Sequence, residues 1–236
     1  MKIYLFLMVF ILLISNVAAW NSYNHRALVD KAYYSLDFET QEKLNLTLMQ
    51  YGATAPDLVF HDVVKHHYPP SYGLAVRWLD AAKSNYSNKN YNEASYSFGV
   101  ASHYISDSFV APHYISKEPG RLHSEFENVK NYRFKTKCYY KIIDLNQTLY
   151  SGSLNKEDWT LWLLNKDPKI PQEEIEEALT ALYPPALETF NSKCNNFETE
   201  ISKKSFINTK NIFYLILIVV IYPSYILIRK LKFFKN

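Results

Sequence analysis

Five side chains able to bind a metal ion follow one another in the central third of the chain. They are His103, Asp107, His113, His123 and Glu127, in the pattern His-x3-Asp-x5-His-x9-His-x3-Glu. In each His-x3-carboxylate pair the two residues lie four apart, so on an α-helix both side chains project from one face. The pattern therefore predicts two helices here, each of which presents a ligand pair to a metal ion.

A single His-x3-Asp pair is more often a hydrogen bond on a protein surface than a pair of metal ligands. Here two such pairs flank His113 within 25 residues of a chain that has seven histidines in all, which favours a metal site. His103 also follows Val100 and Ala101 on an apolar helix, where an imidazole without a partner would be costly to bury. Imidazole together with carboxylate is typical of sites for zinc and similar metals.

The hydrophobic pattern of the remaining chain predicts helices, because apolar residues recur at helical spacing and no strong run of alternating β-branched residues is present. Gly52 is expected to end the second helix, residues 52–71 to form a loop, and Pro184 and Pro185 to break the chain before a last helix. The predicted fold class is all-α, a compact multi-helix bundle. Helices are expected over residues 22–36, 39–51, 72–86, 91–109, 121–140, 158–164 and 172–183.

The N-terminal segment has the features of a signal peptide. Lys2 precedes an apolar run over residues 3–14, and Val17 and Ala19 are small enough for the −3 and −1 positions of a signal-peptidase site. Cleavage after Ala19 would make Trp20 the first residue of the mature protein. An uncleaved signal anchor is the alternative, although an apolar run of about a dozen residues is short for a membrane span, which needs about 20.

The C-terminal apolar segment, residues 212–228, is followed at once by basic residues from Arg229 onward. This order predicts a single transmembrane helix with a basic cytoplasmic tail. A buried or interfacial helix is the alternative, because the segment contains Pro223 and has only the minimum length for a span. We therefore expect a signal peptide over 1–19, an exported domain over 20–205, a linker over 206–211, a membrane anchor over 212–228 and a tail over 229–236, with the domain on the extracytoplasmic side.

The charge of the chain argues against a nucleic-acid partner. The formal net charge is +3, but five basic residues lie in the two apolar end segments, which contain no Asp or Glu. The part between them has 21 basic and 23 acidic residues. A mildly acidic domain lacks the electrostatic pattern of a nucleic-acid binder, so we expect no such partner.

Cys138 and Cys194 are the only cysteines of the chain. An even pair in an exported domain can form a disulfide. Two separate buried thiols are an equal alternative at this point.

Further candidate ligands precede the central pattern: His25 on the first predicted helix, Asp57, and then His66. The order of these residues over 20–132 resembles the zinc-dependent phospholipase C family and the related single-strand-specific nucleases, and residues 103–127 are the specific part of the resemblance. It implies a helical bundle around three zinc ions that lie close together.

The resemblance also implies a role for each residue. One zinc ion would be held by Asp57, His66, His103 and Asp107, a second by His113, His123 and Glu127, and a third by His25, Asp107 and the amino group and carbonyl of Trp20. Asp57 would also accept a proton from the attacking water.

Two histidines are not assigned to zinc. His66 is chosen over His67 because His66-His67-Tyr68 is similar to the His-aromatic-Tyr run of the family. His67 and His61 are therefore expected on the surface or beside the ligands.

The activity implied by the resemblance is a phospholipase C reaction, in which a metal-activated water cleaves a phospholipid into a diacylglycerol-type lipid and a phosphorylated head group. Glu127 is similar to the phospholipases, since the nucleases usually have Asp there, whereas the gap from Trp20 to His25 is closer to the nucleases. Leu58 stands where the choline-phospholipid enzymes have an aromatic residue, so the head group stays open. The acidic domain and the expected membrane tether favour a phospholipid substrate. A nuclease and a non-catalytic, membrane-tethered zinc protein are the alternatives.

The assignment of Trp20 makes the N-terminus testable. If its amino group binds zinc, the site can be completed only after signal removal, because in the precursor this nitrogen is an amide without a basic lone pair. We expect a protein that retains Ala19 before Trp20 to lose one zinc ion and most hydrolysis, measured as zinc per chain and lipid turnover. The variant Trp20→Ala keeps the backbone ligands and should change both less. Equal zinc content and rate in the extended and mature proteins would contradict the assignment.

Overall fold

The computed structural model describes residues 22–62, 64–117, 119–129 and 133–195, and the regular structure in these ranges is helical. For this part of the chain the all-α prediction is confirmed. The helices are α1 Ser22–Ser35, α2 Phe38–Lys43, α3 Leu46–Leu58, α4 Pro70–Ser87, α5 Tyr91–Asp107, α6 Gly120–Glu127, α7 Leu145–Gly152, α8 Lys156–Asn165 and α9 Lys169–Phe190, with 3-10 turns at Ala111–Tyr114 and Ser153–Asn155.

Helix α5 runs through the middle of the bundle, where every residue from position 97 to position 107 is buried. It packs against α3, α4 and α9. Several of its buried residues are small, including Ala94, Ser97, Gly99 and Ala101, so neighbouring helices can approach its backbone closely. The candidate ligands His103 and Asp107 thus lie at the end of the most buried helix.

The closest approach is the crossing of α3 and α5, which depends on two glycines. A Cβ atom on Gly99 would lie 2.1 Å from the carbonyl oxygen of Met49, and one on Gly52 would lie 2.2 Å from the carbonyl oxygen of Tyr96. No side chain fits between these backbones. The expectation that Gly52 ends a helix is therefore wrong: this residue lies inside α3 because the tertiary contact needs a residue without Cβ.

The extent of α3 also corrects the prediction for the residues around Asp57. Residues 52–58 were expected in a loop, but they are helical, and Asp57 belongs to the last turn of α3. Pro56 is tolerated near this end, because proline removes only one helical hydrogen bond there. The predicted loop is confirmed for residues 59–62 and 64–69.

Other helix boundaries also differ from expectation, and the single helix expected over 39–51 is divided, because α2 ends at Lys43 and α3 begins at Leu46. The helix expected over 121–140 ends at Glu127, and α9 continues through Pro184 and Pro185, where a break was expected. Both prolines are buried, and α9 packs against α1, α4 and α5, so tertiary packing outweighs the low helix propensity of proline. Helix α7 was not predicted.

The segment after α6 is held by contacts with α9 rather than by helical hydrogen bonds. The backbone N–H groups of Lys135 and Thr136 donate to the carboxylate of Glu176, and the Tyr183 hydroxyl donates to the Thr136 carbonyl oxygen. Cys138 forms a disulfide with Cys194, so the two thiols are paired. These contacts are distant in sequence, which is why local periodicity did not predict them.

The chain after α9 returns to the first helices. The Asp37 carboxylate accepts hydrogen bonds from the Ser192 hydroxyl at 2.6 Å and from the Lys193 N–H at 3.0 Å. The Asn195 N–H donates to the Ser35 carbonyl oxygen at 2.6 Å. These bonds and the disulfide fasten the end of the described chain to α1 and α2.

The predictions for the two ends concern residues outside the described ranges. They are the signal peptide over 1–19, Trp20, the linker over 206–211, the transmembrane helix over 212–228 and the tail over 229–236, all of which stay predictions. Of the helices that the structure describes, none combines the length and the apolar character that crossing a bilayer requires.

The α3–α5 crossing predicts that Gly99→Ala destabilises the protein. The new methyl group would collide with the Met49 carbonyl oxygen, and overpacking of this kind costs about 1–3 kcal/mol. We expect a lower free energy of unfolding in denaturant titrations. Gly73→Ala is the matched control, because it also lies inside a helix but a Cβ there meets nothing within 4 Å, so it should stabilise by about 0.5–1 kcal/mol. Equal unfolding midpoints for the two variants would contradict the close crossing.

Candidate metal centre

Eight of the nine candidate ligands lie in the described residues, and the structure brings all eight together from six parts of the chain. Trp20 lies outside the described ranges. The ligands are His25 on α1, Asp57 in the last turn of α3, His66 in the following loop, His103 and Asp107 on α5, His113 in the 3-10 turn, and His123 and Glu127 on α6.

Asp107 is at the centre of this ligand cluster. Its Oδ2 lies 2.6 Å from Nδ1 of His66, 3.1 Å from Nε2 of His103 and 3.9 Å from Nδ1 of His113. Its Oδ1 lies 3.4 Å from Nε2 of His25. Four imidazole rings therefore surround one carboxylate whose side chain is 1% exposed.

Glu127 is the centre of the second half of the cluster. Its Oε1 lies 3.1 Å from Nε2 of His113 and 2.7 Å from Nε2 of His123. Because His113 also faces Asp107 through its other ring nitrogen, it connects the two carboxylates.

Three groups within the cluster have ligand atoms that lie within 4.8 Å of one another. They are His25 with Asp57 and His103, His66 with Asp107 and His113, and His113 with His123 and Glu127. The third group equals the zinc set that the resemblance implied. The other two divide the remaining ligands differently, since His25 lies with Asp57 and His103 rather than with the expected Asp107 and Trp20. The first two groups are in contact through the rings of His103 and His66, whose centroids are 4.8 Å apart. The role of each residue as a zinc ligand stays a prediction.

Backbone carbonyl groups orient three of the histidines. His103 donates from Nδ1 to the Ala53 carbonyl oxygen at 2.9 Å, and His113 donates from Nδ1 to the Asp107 carbonyl oxygen at 3.2 Å. His66 donates from Nε2 to the Asp62 carbonyl oxygen. When such a ring is neutral, its other nitrogen carries no proton and faces a carboxylate, and this is the form that binds a metal ion.

Two carboxylate oxygens in the cluster are buried without a hydrogen bond. Oδ1 of Asp107 and Oε2 of Glu127 accept none from any residue that the structure describes. Burying a charged oxygen in this way is costly unless a cation compensates it. The combination of imidazole and carboxylate donors suits zinc, so the residues fit a zinc centre.

The pKa values of the histidines in the cluster shift in different directions. Burial, aided by the charge of His103, places the pKa of His25 well below its ordinary value. Burial also acts on His66 and His103, but Asp107 outweighs it and raises the pKa of both, that of His66 to about 9. Protons therefore compete most strongly with a metal ion at the two rings nearest Asp107.

The pKa values of the two aspartates in the cluster also shift in opposite directions. Burial alone would raise the pKa of Asp107, but the surrounding histidines, led by His103, place it well below the ordinary value. Burial raises the pKa of Asp57, and the charge of Asp107 adds to this effect although His103 opposes it. The ionised form is thus favoured at Asp107, while Asp57 is the carboxylate with the greater proton affinity.

Helix α6 is held in place from two sides. Asn24 on α1 donates from its side-chain amide to the Glu127 carbonyl oxygen at 2.6 Å. On the other side the ring of Phe126 packs against Trp159 and Trp162 of α8, at centroid distances of 5.7 and 5.1 Å. These contacts fix the helix face that carries His123 and Glu127.

The sequence pattern did not identify some of the residues that shape the site. Asp62 accepts a hydrogen bond from the Tyr104 hydroxyl at 3.1 Å, and its carbonyl oxygen holds His66. Ser106 lies with its hydroxyl 3.2 Å from Nδ1 of His25. Asp62 precedes His66 by four residues, and this spacing was the signal available. His61 and His67 belong to none of the three groups.

A comparison with protein families agrees with the geometry. The model of zinc-dependent phospholipase C matches residues 24–189, a range that includes all eight described candidate ligands and extends through most of α9. A search of the curated proteins finds no match to this chain. Because the family model covers well over half of the sequence, from α1 to α9, the chain belongs to the zinc-dependent phospholipase C family.

Proposed function

We propose that the protein is a phospholipase C that hydrolyses phospholipids to a diacylglycerol-type lipid and a phosphorylated head group. The observation that carries this proposal is the buried ligand cluster, in which Asp107 faces four imidazole rings and Glu127 faces two. Family membership supports a zinc-dependent hydrolase. The cluster supplies donors for more than one ion, whereas a purely structural zinc site needs only one closed set of four ligands.

Within this proposal three zinc ions are bound, with Trp20 completing the set as the resemblance implies. Zinc supplies activation of water and compensation of the charge that develops on a phosphoryl group. Asp107 holds the cluster together as a shared anion. Asp57 has the more accessible carboxylate, at 8% side-chain exposure against 1% for Asp107, and its Oδ1 lies 3.5 Å from Nε2 of His103. It is therefore placed to accept the proton of the attacking water.

A loop beside the cluster supports a lipid substrate. Leu58, Val59, Phe60 and Val64 are between 40% and 67% exposed, and they lie between Asp57 and His66 in the chain. Two hydrogen bonds hold described parts of this segment, because the Phe60 N–H donates to the Ala55 carbonyl oxygen of α3 and the Val64 N–H donates to the Asp62 carboxylate. Apolar side chains held outward at the edge of a site suit acyl chains, whereas a polynucleotide would need basic groups.

We also propose that the protein is exported and anchored through residues 212–228. The apolar end segments predict this location. The disulfide between Cys138 and Cys194 supports it, because such bonds persist mainly in oxidising compartments.

The substrate can be identified by offering the mature protein, which begins at Trp20 and is loaded with zinc in detergent, four compounds in parallel: short-chain phosphatidylcholine, phosphatidylethanolamine, phosphatidylinositol and single-stranded DNA. We expect at least one lipid to release a phosphorylated head group and diacylglycerol, and DNA to remain intact. Asp107→Asn serves as the inactive control. Cleavage of DNA without cleavage of lipid would favour the nuclease. A fully zinc-loaded protein that cleaves nothing would favour the non-catalytic zinc protein.

The central position of Asp107 predicts that Asp107→Asn loses zinc and activity together. The amide is a poor anionic ligand, and it would face three histidine nitrogens within 3.5 Å. Altering hydrogen-bond partners of ligands already costs about 10–100-fold in metal affinity, so we expect at least this loss, measured by chelator competition and by lipid turnover. His67→Ala lies outside the three ligand groups and should stay close to the wild type. Wild-type zinc affinity in Asp107→Asn would contradict the central role of this residue.

A further inference from the structure

Glu174 on α9 is a buried acid that the proposed reaction does not use. The residue is 2% exposed. Its Oε2 accepts a hydrogen bond from the backbone N–H of Ala111 at 3.2 Å, while its Oε1 accepts none from the part of the chain that the structure describes. A buried carboxyl group with one unsatisfied oxygen lowers stability, so its single hydrogen bond is the contact to examine.

That hydrogen bond ends on the first residue of the 3-10 turn Ala111–Tyr114, which we call the His113 turn. The first N–H groups of a helical turn have no acceptor within the turn. Val110 precedes the turn, and its apolar side chain cannot cap it. Because Ala111 is fully buried, water cannot satisfy its N–H either. Glu174 therefore acts as a cap supplied from a distant helix.

The His113 turn connects the two halves of the ligand cluster. At its start the Val110 N–H donates to the Asp107 carbonyl oxygen at 3.1 Å, and the His113 ring donates to the same oxygen. At its other end Nε2 of His113 lies 3.1 Å from the Glu127 carboxylate. A change in the turn would thus move His113 relative to both carboxylates.

We propose that Glu174 is a positioning residue: its carboxyl oxygen holds the Ala111 N–H and thereby fixes the His113 turn, which presents His113 to the zinc ion shared with His123 and Glu127. This inference rests on zinc binding as stated in the proposed function, but not on the identity of the substrate. No hydrogen bond joins Glu174 to a ligand side chain that the structure describes, so it acts through the backbone of the turn.

The chemistry of the hydrogen bond between Glu174 and Ala111 determines which substitutions at Glu174 test its role. Burial raises the pKa of Glu174 well above its ordinary value, although the hydrogen bond from Ala111 opposes this shift. Accepting the Ala111 N–H requires an oxygen lone pair but no negative charge. Glu174→Gln retains a carbonyl oxygen at this position, whereas Glu174→Leu has a similar volume and no acceptor.

The test measures release of zinc from the mature holoprotein, which begins at Trp20, to a chromogenic chelator. In Glu174→Leu we expect one zinc ion per chain to bind about tenfold more weakly, the lower end of the effect of altering partners around a metal site, with the other two ions unchanged. Glu174→Gln should stay within about twofold of the wild type. Leu182→Ala is the matched control, because Leu182 is fully buried on the same helix and its truncation destabilises the core without removing the cap.

Three results would overturn the inference: wild-type zinc affinity in Glu174→Leu, equal losses in Glu174→Gln and Glu174→Leu, or the same loss in Leu182→Ala. Hydrogen exchange at the Ala111 amide provides a readout that needs no unstable variant. In the wild type and in Glu174→Gln, the Ala111 amide should exchange as slowly as the buried amides of α5. Exchange of this amide at the rate of an exposed amide in either protein would also overturn the inference. A wild-type protein that holds no zinc would overturn the proposed function and this inference together.

Discussion

The contact between the backbones of α3 and α5 determines the position of the metal centre. Gly52 and Gly99 permit this contact, since a Cβ at either position would collide with a carbonyl oxygen of the other helix. One residue after Gly52, the Ala53 carbonyl oxygen reaches His103 and orients its ring. One turn further, Asp57 comes within 3.5 Å of the same ring. A wider helix crossing would separate these groups and remove the Ala53 acceptor from Nδ1 of His103.

The charge of the cluster imposes a second requirement. Asp107 and Glu127 are both almost completely buried, and each has an oxygen that no described residue satisfies by a hydrogen bond. Such groups oppose folding unless cations compensate them. Zinc binding and folding are therefore coupled, because the ligands must lose their protons and must be assembled before they can hold the metal. The core that surrounds α5 provides this assembly.

The second half of the domain supports the cluster from outside and supplies few ligands. Trp159 and Trp162 on α8 hold Phe126, so α6 cannot turn its ligand face away. Glu174 on α9 holds the His113 turn. The disulfide between Cys138 and Cys194 closes the segment that follows α6 onto the end of the described chain. The family match, which extends to residue 189, includes most of this supporting half.

The sequence by itself determined the features that depend on local spacing. Residues four apart share a helix face, so spacing alone places the pairs His103 with Asp107 and His123 with Glu127 on two helices. Only the tertiary structure decided the features that depend on contacts distant in the chain. Gly52 and Pro184 lie inside helices because packing outweighs propensity, and residues 133–140 are not helical because α9 and Cys194 hold them. Tertiary contacts also decided the grouping of the ligands and the capping role of Glu174, since no periodicity within one segment describes how two distant segments meet.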